Sequence, residues 1–158
     1  MLINNIKDKF DMTWMTPSQR SIFDLITQKF TTQKVINIYG QSGTGKTFLA
    51  WNLEKHFDAI RVSNLEDAEN ATVVILDNYS HKKTEIRSLL QEMFFKNIDK
   101  IIVITDKKAE DDIVCLFLDF TSEDRKVFKN NLWKHFNFDF GNEKDEYNMN
   151  SLIKYNLV

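Results

Sequence analysis

Only one proline and four glycines interrupt this 158-residue chain. So few breakers exclude a low-complexity Pro/Gly chain and leave room for regular elements. The single cysteine, Cys115, excludes an internal disulfide. The fold must therefore stand on its core, and a reducing, cytoplasmic compartment is expected. Cys115 itself lies in an apolar run and reads as a buried small hydrophobe. No apolar run approaches the ~18 residues of a membrane span. The opening MLINNIKDKF has no continuous apolar segment of the kind a secretory signal needs. The balance of 21 Lys and Arg against 23 Asp and Glu gives a net charge of −2, which excludes a strongly basic nucleic-acid footprint in bulk. His56, His81 and His135 lie far apart, without metal-ligand spacing.

What is present suits one globular domain: 42% hydrophobic and 13% aromatic residues, enough to bury a core at this length. Residues 1–15 read as a loosely held arm whose Trp14 and Met15 can pack onto the domain. Thr16-Pro17 opens a helix, a capping hydroxyl followed by proline at the first helical position. Ile22, Phe23, Leu25, Ile26 and Phe30 then form a stripe at helical spacing. KVINIYG (34–40) predicts a buried strand stopped by glycine, and a helix follows from Lys46 to about His56. AIRVSN (59–64), TVVILDN (72–78), KIIVITD (100–106) and IVCLFLDF (113–120) predict four more strands. A helix over 84–95 separates the third and fourth. Thr121-Ser122-Glu123-Asp124 caps a last helix reaching about His135. Apolar strands alternating with helices predict an α/β three-layer sandwich around a mainly parallel five-stranded sheet, with a core over 16–136. Residues 137–158 read as a tail or a short docking helix.

Three of the four glycines fall in one loop, Gly40-Gln41-Ser42-Gly43-Thr44-Gly45-Lys46-Thr47, between a predicted strand and a predicted helix. This fits G-x-x-x-x-G-K-[ST] without a mismatch, in the context that pattern requires. Small residues let the backbone wrap a phosphate with N–H groups inward, and the helix start adds its positive end. Lys46 is placed to neutralise the β- and γ-phosphates, and the Thr47 hydroxyl to ligate Mg²⁺. The second half of such a site is an acid ending a buried strand, which VVILDN supplies as Asp77.

GQSGTGKT resembles the Walker A motif and VVILDN the Walker B motif of the P-loop NTPases, over roughly residues 34–120. Within that superfamily the chain resembles the AAA+ branch. KIIVITD ends in Thr105, where that branch carries a polar sensor-1 residue facing the γ-phosphate. FLDFTSEDRKVFKNNL looks like the strand and helix that close an AAA+ core. TPSQRSIFDLI looks like the segment that covers the base, which leaves Gln19 or Arg20 either near adenine or on the solvated surface. The resemblance implies ATP and Mg²⁺ as cofactors. It implies nucleotide contacts from Gly40, Gln41, Ser42, Gly43, Thr44, Gly45, Lys46, Thr47 and Phe48, metal contacts from Thr47 and Asp77, and catalytic roles for Lys46, Asp77, Asn78 and Thr105.

Three departures bear on activity. That branch follows the Walker B aspartate with a glutamate that activates water, and here the next residue is Asn78. An amide orients water without taking its proton, and lost general-base help typically costs ~10²–10⁴ in rate. Binding is therefore better supported than fast turnover, with Glu85 or Asp106 as substitutes to consider. The 23 residues after His135 are too few for the helical lid of that branch, so the lid is truncated or supplied by a partner. The chain's arginines are Arg20, Arg61, Arg87 and Arg125, of which Arg87 and Arg125 are candidate arginine fingers or solvated helix residues.

The leading expectation is an ATP-binding switch subunit acting with a protein partner or a second copy. The resemblance points to DNA transactions: initiator-like regulators, helicase-loader-like ATPases, or mobile-element and phage-defence systems. The runner-up is a small-molecule or nucleotide kinase, which needs paired arginines that the chain lacks. A non-hydrolysing scaffold module is motivated by Asn78. A GTPase is disfavoured, since no N-K-x-D reader follows and ILDN lacks the glycine of D-x-x-G. Leu152, Ile153, Tyr155, Leu157 and Val158 offer either a partner contact or an inward-packed end. Lys82-Lys83 and Lys107-Lys108 read as loop lysines on the rim of the phosphate loop.

Overall fold

The computed structural model describes residues 2–77, 86–110 and 112–137. The chain runs α1 (Leu2–Lys9), α2 (Pro17–Lys29), β1 (Val35–Tyr39), α3 (Lys46–Phe57), β2 (Ile60–Val62), β3 (Val73–Leu76), α4 (Ile86–Lys96), β4 (Lys100–Thr105), β5 (Val114–Phe117) and α5 (Ser122–Phe136). The five strands form one sheet in the order β2-β3-β4-β1-β5. Every pairing is parallel, with Val35 opposite Ile101, Ile36 opposite Val114, and Val74 opposite both Ile60 and Ile101. β4 thus lies between the strand that leads into the glycine loop and the strand that ends beside Asp77. No helix among the described residues is long and apolar enough to cross a membrane.

The period-2 alternation of the strands sorts the core into two layers. Ile36, Ile38, Ile75, Ile102 and Ile104 face α2 and α3, where they meet Ile22, Phe23, Ile26, Leu49 and Leu53. Val35, Val74, Leu76, Ile101 and Val103 face the other way, toward Leu89 and Met93 of α4. Burying each such side chain is worth about 1.5–3 kcal/mol, so the sheet is held from both faces. This is the expected α/β three-layer arrangement around a parallel five-stranded sheet.

The N-terminal segment differs from the expectation of a loose arm. Residues 2–9 are helical, and Ile6 is buried in a third cluster with Trp51 of α3 and Leu132 of α5. Met15 is buried, and Trp14 stacks on His135 at 4.3 Å between ring centres. Cys115 also differs: it is only half-buried, because β5 is an edge strand whose outer side no described strand covers. The expected tail, residues 138–158, and the start of the expected helix over 84–95 lie outside the described residues.

Candidate functional site

β1 leaves the sheet at Tyr39, and Gly40 follows with its N–H donating to the Thr105 carbonyl at 3.3 Å. A Cβ at Gly40 would land on the backbone carbonyl oxygen of Leu118. Only glycine fits there, because the obstacle is main chain rather than a movable side chain. Gly43 and Gly45 adopt φ of 86° and 88°, the left-handed region that side chains resist. Gly45 is also the N-cap of α3, so the loop turns directly into the positive end of a 12-residue helix. Thr44 is buried and its hydroxyl donates to the Gln41 carbonyl at 3.0 Å. The Lys46 ammonium lies at the mouth of this loop. It donates to the Gly40 carbonyl at 2.5 Å, the Gln41 carbonyl at 2.9 Å and Asp106 Oδ1 at 3.0 Å. Its side chain is only 12% exposed. Gln41, Ser42 and Thr47 are exposed, and Phe48 is partly buried.

The loop is braced from α2. Gln19 is 1% exposed and bonds through both the nitrogen and the oxygen of its amide. Its Nε2 donates to the Gly45 carbonyl at 3.0 Å, and its Oε1 accepts from the Thr16 N–H at 2.9 Å, closing the capping box of α2. Next to it, Ser18 donates to Asp124 through its backbone N–H at 2.8 Å and its hydroxyl at 2.6 Å. The same carboxylate accepts from the N–H and hydroxyl of Thr121, the N-cap of α5. One buried carboxylate thus satisfies orphan N–H groups at the starts of two helices. Burial pushes the Asp124 carboxyl up, but the bonds from Ser18 and Thr121 outweigh it and hold the group below its usual value.

The ends of β3 and β4 are built differently. Asp77 Oδ2 accepts from Arg61 at 3.1 Å, and Arg61 also pairs with Glu54 of α3 at 3.2 Å. The Thr105 hydroxyl is buried, accepting from Asn37 Nδ2 at 2.8 Å and donating to the Lys107 carbonyl at 2.6 Å. Asn37 Nδ2 also donates to the Val103 carbonyl at 3.1 Å, and its Oδ1 accepts from the Ala109 N–H at 3.0 Å. Asn37 thereby ties β1 to the turn after β4. Lys107 and Lys108 are exposed on that turn. Asn78, Lys82, Lys83 and Glu85 lie outside the described residues, as does the Arg87 side chain.

Beside the loop, Ile6, Trp14, Gln19, Phe48, Phe128, Asn131, Leu132 and Phe136 line a small pocket of about 30 Å³. That is room for a water molecule or two and far below the ligand-pocket range, so a purine ring does not fit it as it stands. Gln19 lines the pocket and also grips the loop. Arg20 does not join it; its guanidinium donates to the Met12 carbonyl at 2.6 Å. Arg125 lies over the Phe120 ring at 5.8 Å rather than extending freely into solvent.

The structure therefore gathers residues 40–47, Thr105 and Asp106 at one rim of the sheet. It leaves Asp77 one strand further along with an arginine partner. Sequence reading missed Asn37 and the pairing of Arg61. A lone amide inside an otherwise apolar strand was the available signal for Asn37; Arg61 offered none. For a triphosphate the residues fit: two left-handed glycines, a loop that opens into the start of α3, and a sequestered ammonium. For Mg²⁺ the donor types fit, a hydroxyl at Thr47 and a carboxylate at Asp77 that Arg61 also holds. No protein-family model matches the chain, and no curated protein matches it.

Proposed function

We propose that this chain is an ATP-binding P-loop switch protein of AAA+ type, with hydrolysis slower than in chains that carry a glutamate after Asp77. The observation that carries the reading is the loop itself. Gly40 packs where no side chain fits, Gly43 and Gly45 take left-handed backbone, and Lys46 is held at the mouth by loop carbonyls and Asp106. A triphosphate would replace those carbonyls as the partner of the ammonium, on the axis of α3. Thr47 and Asp77 would hold Mg²⁺, which neutralises phosphate charge. Nucleotide would act on the turn after β4, which Asn37 and Thr105 tie to β1, and a partner protein or second copy would read that turn. A DNA-related role is proposed through such a partner, because the net charge of −2 offers no bulk attraction to DNA.

The second reading is a scaffold that binds nucleotide without turnover, favoured by Asn78 in sequence and by the arginine on Asp77. The test is equilibrium binding of labelled ATP with Mg²⁺, beside product analysis, for the parent and Lys46→Ala. Binding weakened ~100-fold or more in the variant, with free phosphate as the product, supports the switch ATPase. Phosphate transferred to an added acceptor would replace it with the kinase. No binding by the parent would end the reading.

A further inference from the structure

Hydrolysis of a terminal phosphoanhydride needs a group that orients water or takes its proton. In this chain the residue after Asp77 is an amide, and the Asp77 carboxylate is held by Arg61 at 3.1 Å. A different carboxylate stands at the loop. Asp106 directly follows β4, and its Oδ1 lies 3.0 Å from the Lys46 ammonium. We infer that Asp106 is the catalytic carboxylate of this site, activating the water that attacks the γ-phosphate. This inference rests on the nucleotide reading above.

Three observations lead there. The first is reach. If Lys46 binds a phosphate oxygen at ~2.8 Å, that oxygen lies within ~6 Å of Asp106, a span that one water fills with two ordinary hydrogen bonds. The second is access. The Asp106 side chain is 75% exposed, so water can enter beside it, whereas Thr105 before it is buried with its hydroxyl already bonded twice. The third is fixation. The turn is pinned on both sides of Asp106, by Asn37 to the Thr105 hydroxyl and by Asn37 to the Ala109 N–H. An exposed carboxylate on a pinned turn keeps its place when its partner lysine exchanges the loop carbonyls for phosphate oxygens.

In the step itself, the water oxygen bonds to the γ-phosphorus. The bond from that phosphorus to the β,γ-bridging oxygen breaks, and ADP leaves with the electron pair. The proton from water passes to Asp106 and then to solvent. Before nucleotide arrives, the same carboxylate competes with phosphate for Lys46. Removing its charge should therefore move binding and turnover in opposite directions.

The experiment compares the full chain with Asp106→Asn, Asp106→Glu and Lys46→Ala, reading ATP affinity by equilibrium titration and phosphate release in single turnovers. Asp106→Asn is near-isosteric at an exposed position, and a melting curve checks that it folds. The expected result is ATP bound as tightly or up to ~5-fold more tightly, with phosphate release lowered ~10²–10⁴-fold and partly recovered in Asp106→Glu. Parent-like phosphate release in Asp106→Asn overturns the assignment and leaves Asp106 as a clamp on the empty lysine. A parent that binds ATP and releases no phosphate overturns it too, while nucleotide binding stands. A parent that binds no ATP overturns the nucleotide reading itself.

Discussion

The loop after β1 and the end of β3 are two halves of one candidate site, and they are made of different materials. The loop is main chain: left-handed glycines, a carbonyl of Leu118 against Gly40, and carbonyls that hold Lys46. The end of β3 is side-chain charge: Asp77, Arg61 and Glu54, drawn from a strand end, a second strand and a helix. A backbone cradle is specified by which residues cannot stand in it. A charged cluster is specified by which partners happen to arrive, and those come from elsewhere in the chain. The first should be brittle to small changes and the second tolerant of them.

The largest effect is expected at Gly40. Adding one methyl there drives it into main chain that cannot swing aside. Gly40→Ala should weaken ATP binding by ~100-fold or more, about 2.7 kcal/mol, as read by titration. Parent-like affinity would mean that the loop tolerates a side chain as readily as the charged cluster does.

Asp124→Asn tests the brace behind the loop and should come next, at about 2–3 kcal/mol of folding stability. Four donors converge on a carboxylate that is 0% exposed, and an amide nitrogen there would face donors rather than accept from them. The pH dependence has a definite sign. The folded carboxyl is held below its usual value of 3.8, so its contribution is complete above about pH 4. It drains away as pH falls through the folded value. Urea titrations should show the parent losing stability in that acid window. Asp124→Asn should lack this component, and identical acid profiles would mean that the carboxylate does not brace α2 against α5.

The smallest effect is expected at Arg61. Arg61→Met keeps the aliphatic stem and gives up two partly exposed ion pairs, so stability should fall by about 1 kcal/mol or less. Releasing Asp77 should also let Mg²⁺ support ATP binding at a several-fold lower concentration. An unchanged Mg²⁺ midpoint would mean that arginine and metal do not compete for Asp77, sharpening the view that the two halves work separately.

The same contrast explains what could be read from sequence. Thr16-Pro17 and Thr121 announce helix starts through local chemistry, and the strands announce themselves by apolar runs; both appear where expected. The loop was legible because glycine is used so sparingly elsewhere. Gln19 was ambiguous because its partner, Gly45, lies 26 residues away. Arg61 carries no local mark at all, since its pairing with Asp77 arises only when β2 lies beside β3. The N-terminal helix was missed for a related reason: LINNIKDK has no capping signal, and Ile6 is buried by residues from α3 and α5. Cys115 was misjudged because composition reveals an apolar strand but not its place at the sheet edge.

The bond between Ser18 and Asp124 joins residues 106 positions apart. A ribosome adding ~5–20 residues per second makes the first of them roughly 5–20 s before the second. Through that interval the glycine loop already exists as a sequence, while α2, which carries Gln19 to it, lacks the carboxylate that fixes its first turn. Leu118, the carbonyl against Gly40, is likewise made late. The segment with the most conspicuous signature is therefore among the last to acquire its shape, and the chain must emerge into the first turn of α5 before the cradle and its brace are complete.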